Sequence, residues 1–174
     1  MDFDLQPKLK GRLIELRPLQ AEDFESLFAA ASDPLIWEQH PARDRYKREV
    51  FQKFFDGAIE SGGAFAVIDR ESGRIIGCSR YCNLDPVEHE VEIGYTFLER
   101  AFWGGAYNGE LKKLMLEHAF HFVDRVLFLV GENNLRSQKA LQKIGARVVG
   151  RKETPGPDGG SIPSVVFGMT RPSG

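Results

Sequence analysis

The chain is short of cysteine, with two in 174 residues, Cys78 and Cys82. Four residues apart on what reads as one strand, they share a face. Extended backbone holds them too far apart for an easy disulfide. Two thiols do not make a zinc site, and His118 and His121, three apart in a helical stretch, lack a second ligand pair. No structural metal is expected. Long apolar runs are missing as well. Without some eighteen consecutive apolar residues no membrane-spanning helix is expected, and the start MDFDLQPKLKGRL lacks the apolar run of a signal peptide. A cytoplasmic protein is the expectation. Nor does one sign of charge dominate: 23 Lys and Arg against 25 Asp and Glu leave a net charge of −2. A nucleic-acid partner usually demands a basic face, so none is expected. The densest cationic cluster, Arg43-Asp44-Arg45-Tyr46-Lys47-Arg48, carries its own acid and leads into a helix. It reads as a solvated loop and helix start, or as a surface that greets an acidic substrate or a phosphate.

What is present is core-forming material. Hydrophobic residues make up 42% of the chain, and the length fits one domain, residues 1–174. Arg12 to Pro18 alternates and ends on proline, the pattern of a strand. Phe24, Leu27, Phe28 and Ala31 follow helical spacing, and 32–45 reads as a loop. Val50, Phe51, Phe54, Phe55, Ala58 and Ile59 form a second helical stripe, stopped by Gly62-Gly63. A hairpin follows, Phe65–Asp69 and Arg74–Cys82 around Glu71-Ser72-Gly73. In the next strand, Val91–Leu98, simple alternation puts Val91, Ile93, Tyr95 and Phe97 on one face and Glu92, Gly94 and Thr96 on the other. A helix is expected from about Gly109 to Val123, then a strand at Val126–Val130 buried on both faces. A short helix capped by Asn133-Asn134 and ended by Gly145 comes next, and two strands flank a Gly/Pro-rich loop, 154–163. The order β-α-α-β-β-β-α-β-α-β-β implies an α/β domain with a mixed sheet and helices on its faces.

The strand, glycine turn and helix over 91–123 carry the clearest chemistry. A helix N-terminus offers free N–H groups and roughly half a positive charge, a setting for phosphate. Gly104-Gly105-Ala106 lets backbone approach such a group, and Asn108 stands where an N-cap belongs. Neither a P-loop nor a dinucleotide-binding glycine pattern is present.

The run EIGYTFLERAFWGGAYNGELKKLML, followed by FLVGENNLRSQKALQKIGA, resembles the GNAT superfamily of N-acetyltransferases. Within it the likeness is greatest to the ribosomal-protein N-terminal (alanine) acetyltransferases. The resemblance covers nearly the whole chain and implies the acyl-CoA N-acyltransferase fold, with a mixed, mostly antiparallel sheet. The family's phosphate loop has the form Q/R-x-x-G-x-G/A. Here Trp103 stands for Q/R, Ala106 for the central glycine and Asn108 for the last position. Alanine is compatible there if its φ is negative. In the second motif Asn134, Ser137, Lys143 and Gly145 fall in register.

The resemblance implies acetyl-CoA as cosubstrate, with its pyrophosphate on the amides of Gly104, Gly105, Ala106, Tyr107, Asn108 and Gly109. The pantetheine arm would pair near Ile93, Gly94 and Tyr95, with Asn134 and Ser137 on its other side. The acceptor would be an amine, on a protein N-terminus or a small molecule. An α-amino group has a pKa of about 7.7–8.0, so roughly a tenth is neutral at pH 7; deprotonating a lysine costs about 4.6 kcal/mol. A carboxylate working through water is the usual aid. Glu92, in a position resembling the family base, is the first candidate, and a main-chain N–H of Ile93 or Gly94 is the natural oxyanion donor. Many relatives have a tyrosine where this chain has Leu141, leaving Ser79, Tyr81, Tyr95 and Ser137 as candidate acids, Ser137 first. His40, in the loop where the family builds its substrate entrance, is a candidate for substrate binding or an alternative base. Two other readings stand beside the enzyme: a non-catalytic acyl-CoA-binding module, and a general binder of phosphate ligands. The exposed edges of the last hairpin also allow a homodimer.

Overall fold

A computed structural model describes residues 2–156 and 159–173. Eight strands form one sheet in the order β1-β2-β3-β4-β5-β6-β8-β7. They are β1 (Leu9–Lys10), β2 (Ile14–Pro18), β3 (Ala64–Asp69), β4 (Ile75–Asp85), β5 (Glu90–Leu98), β6 (Arg125–Gly131), β7 (Arg147–Pro155) and β8 (Ser161–Thr170). The helices are α1 (Phe24–Ala31), α2 (Arg48–Ser61), α3 (Tyr107–Ala119) and α4 (Leu135–Lys143). Every pairing is antiparallel except β5 with β6.

The sheet separates two apolar layers. On one side Ile14, Phe65, Val67, Ile76, Val91, Ile93 and Leu98 pack against Leu111, Met115 and Ala119 of α3. On the other, Ala64, Ala66, Cys78 and Phe97 meet Leu27 of α1 and the α2 stripe Phe51, Phe54, Phe55 and Ala58. Small residues on the sheet make room for the five phenylalanines of α1 and α2. Gly62 ends α2 in the left-handed conformation at φ 67°, where glycine carries no Cβ penalty. The loop before α2 is not merely a connector. Trp37 is buried there, its Nε1 donating to the Ala31 carbonyl at 2.9 Å.

A carboxylate fastens the start of β2 to α3. Glu110 accepts from the backbone N–H groups of Arg12, Leu13 and Ile14 at 2.8–2.9 Å. Gly11 leaves it space, since a Cβ there would lie 2.6 Å from the Glu110 carboxyl.

Four expectations change. β5 does not alternate cleanly: Tyr95 takes φ 54°, and the β4–β5 register shifts between Cys78 and Arg80. This bulge leaves Tyr95 exposed, away from Val91 and Ile93, and sends Phe97 to the α1/α2 layer. β6 is not buried on both faces; Val126, Phe128 and Val130 are buried while Leu127 and Leu129 are half-buried. α3 begins at Tyr107 with Ala106 as its N-cap, so Asn108 lies inside the first turn, and the helix ends at Ala119. The last hairpin pairs as far as Pro155 with Ser161, shortening the expected 154–163 loop. Pro157 and Asp158, within the expected loop, lie outside the described residues. Cys78 and Cys82 are free thiols on β4. No described helix is long and apolar enough to cross a membrane.

Candidate functional site

The parallel pair opens. β5 and β6 are in register only at Glu90–Arg125, Val91–Val126 and Glu92–Leu127. Beyond these three pairs β6 continues against β8 and β5 against β4, so the two strands diverge. The gap leads into a cleft of about 640 Å³. A gap in a ladder leaves main-chain donors and acceptors on its walls without strand partners. An extended ligand carrying amides can supply them.

At one end of the gap lies the start of α3. Gly104 turns at φ 74° and Ala106 has φ −84°, the sign alanine tolerates. Within the described residues no acceptor meets the backbone N–H groups of Gly104, Gly105, Ala106, Tyr107, Asn108 or Gly109, and the ladder resumes with Glu110 N–H donating to Ala106 O at 2.9 Å. Six consecutive free donors at the positive end of a 13-residue helix form a phosphate cradle. A ligand that joins a pyrophosphate to an extended arm carrying amides would match these donors and the open strand edges.

α4 forms the opposite bank. Asn134 caps it, its Oδ1 accepting from Ser137 N–H at 3.4 Å, and both residues face the cleft with Ala140 and Leu141. Trp103 ties the banks together. Its Nε1 donates to Leu98 O at 2.8 Å, and the Arg136 guanidinium of α4 stacks over its ring at 4.2 Å. The Arg136 backbone N–H in turn donates to Gln39 Oε1 at 3.0 Å, closing the loop before α2 onto α4.

The other side of the cleft is lined by Trp37, His40, Arg45, Asn83, Glu92 and Tyr95. Glu92 is half-buried on β5, and its Oε1 accepts from Asn83 Nδ2 at 2.9 Å. Asn83 reaches it from a left-handed kink at φ 51°, where the β4–β5 register shifts again. His40 packs edge-on against Trp37 and accepts from Ala42 N–H on Nδ1 at 2.9 Å. Burial, helped by the nearby Arg45 charge, depresses its pKa to about 3. With Nδ1 occupied, the neutral ring presents Nε2–H, a donor rather than a base.

Tyr81 is not available as an acid: it is buried and donates to the Met115 carbonyl in the α3 layer. Ser79 hydrogen-bonds Thr96 at 2.8 Å. The sequence reading missed Lys112. It lies in α3 facing the cleft, only 6% exposed, and donates to Thr96 Oγ1 at 3.0 Å. The described residues place no carboxylate within ion-pair distance of it, and burial lowers its pKa to about 8. Its place between Leu111 and Met115 in the buried stripe was the available signal. Among the described residues no three His, Cys, Asp or Glu side chains are grouped to hold a metal ion.

Residues 13–147 match the family model described as an acetyltransferase (GNAT) domain. A Bacillus licheniformis protein described as the uncharacterized N-acetyltransferase p20 is 26% identical over 138 residues, covering 75% of this chain and 77% of that protein. The fold is shared with a GCN5-related N-acetyltransferase from Brucella melitensis at TM-score 0.83 and 23% identity, covering 95% of this chain and 79% of that one. It is shared too with spermidine N-acetyltransferase from Vibrio cholerae, solved with CoA and spermine, at TM-score 0.69 and 13% identity, covering 91% and 95%.

Proposed function

Because this chain belongs to the GNAT acetyltransferase family, we propose that it acetylates a primary amine that meets acetyl-CoA in the cleft between β5 and β6. One observation carries this reading: the strands part after three residue pairs, beside six free backbone donors at the α3 N-terminus. When bound, the cofactor supplies an activated acetyl thioester. The chain supplies the rest. Gly104 to Gly109 hold the pyrophosphate, the open edge at Ile93, Gly94 and Tyr95 aligns the pantetheine arm, and Asn134 and Ser137 flank it.

Glu92 acts as general base through a water, taking the proton released when the amine nitrogen bonds to the acetyl carbon. Asn83 fixes the orientation of its carboxylate. A main-chain N–H of Ile93 or Gly94 faces the carbonyl oxygen as negative charge develops there. As the carbon–sulfur bond breaks, the Ser137 hydroxyl donates a proton to the departing thiolate. His40 serves the acceptor as a hydrogen-bond donor through Nε2–H. The acceptor is a protein N-terminus or a small-molecule amine. The exposed β7 edge, with Val148 and Val149 outward, is the surface through which a homodimer would form.

Release of free CoA thiol from acetyl-CoA, followed with and without a panel of small amines and peptide N-termini, tests the reading. Amine-dependent release with formation of the N-acetyl product is expected. Release that is indifferent to amine would contradict it.

A further inference from the structure

Two arginines, Arg45 on the wall of the cleft and Arg80 beneath it, have no ion-pair partner among the described residues. Arg45, half-buried in the loop before α2, lays its guanidinium 4.5 Å over the Phe54 ring and 5.4 Å over Trp37. Arg80 of β4 is only 7% exposed and sits 3.9 Å over Tyr95 and 5.7 Å over the same Phe54. Neither side chain makes a hydrogen bond or ion pair with any described residue, and the Nε of each is sealed from solvent without an acceptor. By contrast, Arg17, Arg48, Arg74, Arg100 and Arg125 each pair with a carboxylate.

Two buried like charges sharing one aromatic ring repel each other, and desolvation adds to the cost. Burial already draws the Arg45 pKa down to about 10. Cation–π contact with Phe54, Trp37 and Tyr95 offsets part of this but satisfies no N–H donor. Glu92 does not neutralise the pair; its carboxylate is bonded by Asn83 and forms no ion pair. The remaining partner is one that arrives with substrate. Arg45 lines the cleft together with Glu92 and Tyr95, so an anion there and an amine at Glu92 can belong to one molecule.

We propose that the amine acceptor also carries a carboxylate, which Arg45 grips directly and Arg80 backs with its charge, while the amine faces Glu92. The inference rests on the reading of the chain as an amine acetyltransferase. It names amino acids and short peptides with a free carboxylate as the substrate class. Polyamines are disfavoured, since they bring like charge to a cationic wall.

The test compares amino acids and dipeptides with their C-terminal amides, with spermidine as the cationic control. Wild type is expected to favour carboxylates by ~10–100-fold in kcat/KM, the range for one charge-assisted contact. Arg45→Met and Arg80→Met each reduce that preference, whereas Arg43→Met, exposed in the same loop, keeps it. Binding is read independently as the rise in melting temperature of the CoA-loaded protein with N-acetyl amino acids or their amides. The acids stabilise wild type and lose that effect in Arg45→Met. Equal use of amides, a preference that survives both variants, or no stabilisation by any N-acetyl amino acid overturns the inference. Turnover without a carboxylate preference refutes the inference alone, whereas no binding of CoA refutes the reading beneath it.

Discussion

Glu92→Gln lowers kcat by ~10²–10⁴-fold, the range general-base catalysis contributes, with the KM for acetyl-CoA almost unchanged. Glutamine preserves the shape of the side chain, and its Oε1 still accepts from Asn83 Nδ2, so the β4–β5 kink that holds it stays intact. What goes is the ability to take a proton. An α-amino group is roughly one-tenth neutral at pH 7, and a lysine far less, so the variant must wait for acceptors that have already lost theirs. Its rate therefore climbs about tenfold per pH unit until the acceptor pKa is reached, where wild type shows a shallower rise. Steady-state kinetics from pH 6 to 10 distinguish the two. A kcat within about threefold of wild type places the base on another side chain.

Lys112→Met makes the protein more stable at neutral pH. The Lys112 pKa falls from its ordinary 10.5 to about 8 because burial disfavours the charged form. Below about pH 8 the side chain is protonated in both folded and unfolded chains, and folding bears the whole desolvation cost. Between pH 8 and 10.5 the unfolded chain holds a proton that the folded chain has released, so stability rises with pH. Above pH 10.5 the penalty is gone. At about 1.4 kcal/mol per pKa unit, methionine gains ~3–4 kcal/mol at pH 7, or roughly 6–16 °C in Tm for a chain of this size. The gain fades toward pH 10.5. Chemical denaturation at pH 7, 9 and 10.5 checks it; a difference that ignores pH means that the ammonium is not desolvated.

Residues close in sequence revealed most of the frame. The α2 stripe repeats at helical spacing because one face packs on small sheet residues, and Phe51, Phe54, Phe55 and Ala58 are buried as that spacing requires. Gly62 and Gly145 stand where helix ends need a positive φ. Strand alternation failed at Tyr95, because a bulge depends on how β4 and β5 align rather than on either strand's own residues. β6 read as doubly buried because its run has no polar residue, yet Leu129 fronts the cleft.

The candidate site was legible where motifs are local. Gly104 to Gly109 and Asn134 with Ser137 each lie within a few residues, and their backbone geometry follows from a single turn. The Asn83–Glu92 bond, the three N–H groups gathered by Glu110 and the Arg45–Phe54–Arg80 stack join distant segments. Nothing in the local pattern of either partner announces them. Lys112 was legible only through its place beside Leu111 and Met115 in the buried stripe of α3.

The most direct test of the central claim is the melting temperature with millimolar acetyl-CoA, with ATP as control. A ligand at about a hundred times its Kd adds roughly 2.7 kcal/mol, and each kcal/mol moves Tm by about 2–4 °C in a domain of this size. A rise of several degrees with acetyl-CoA and little with ATP is the expected result. No rise with acetyl-CoA, or an equal one with ATP, would contradict the assignment of the Gly104–Gly109 donors and the β5–β6 gap to this cofactor.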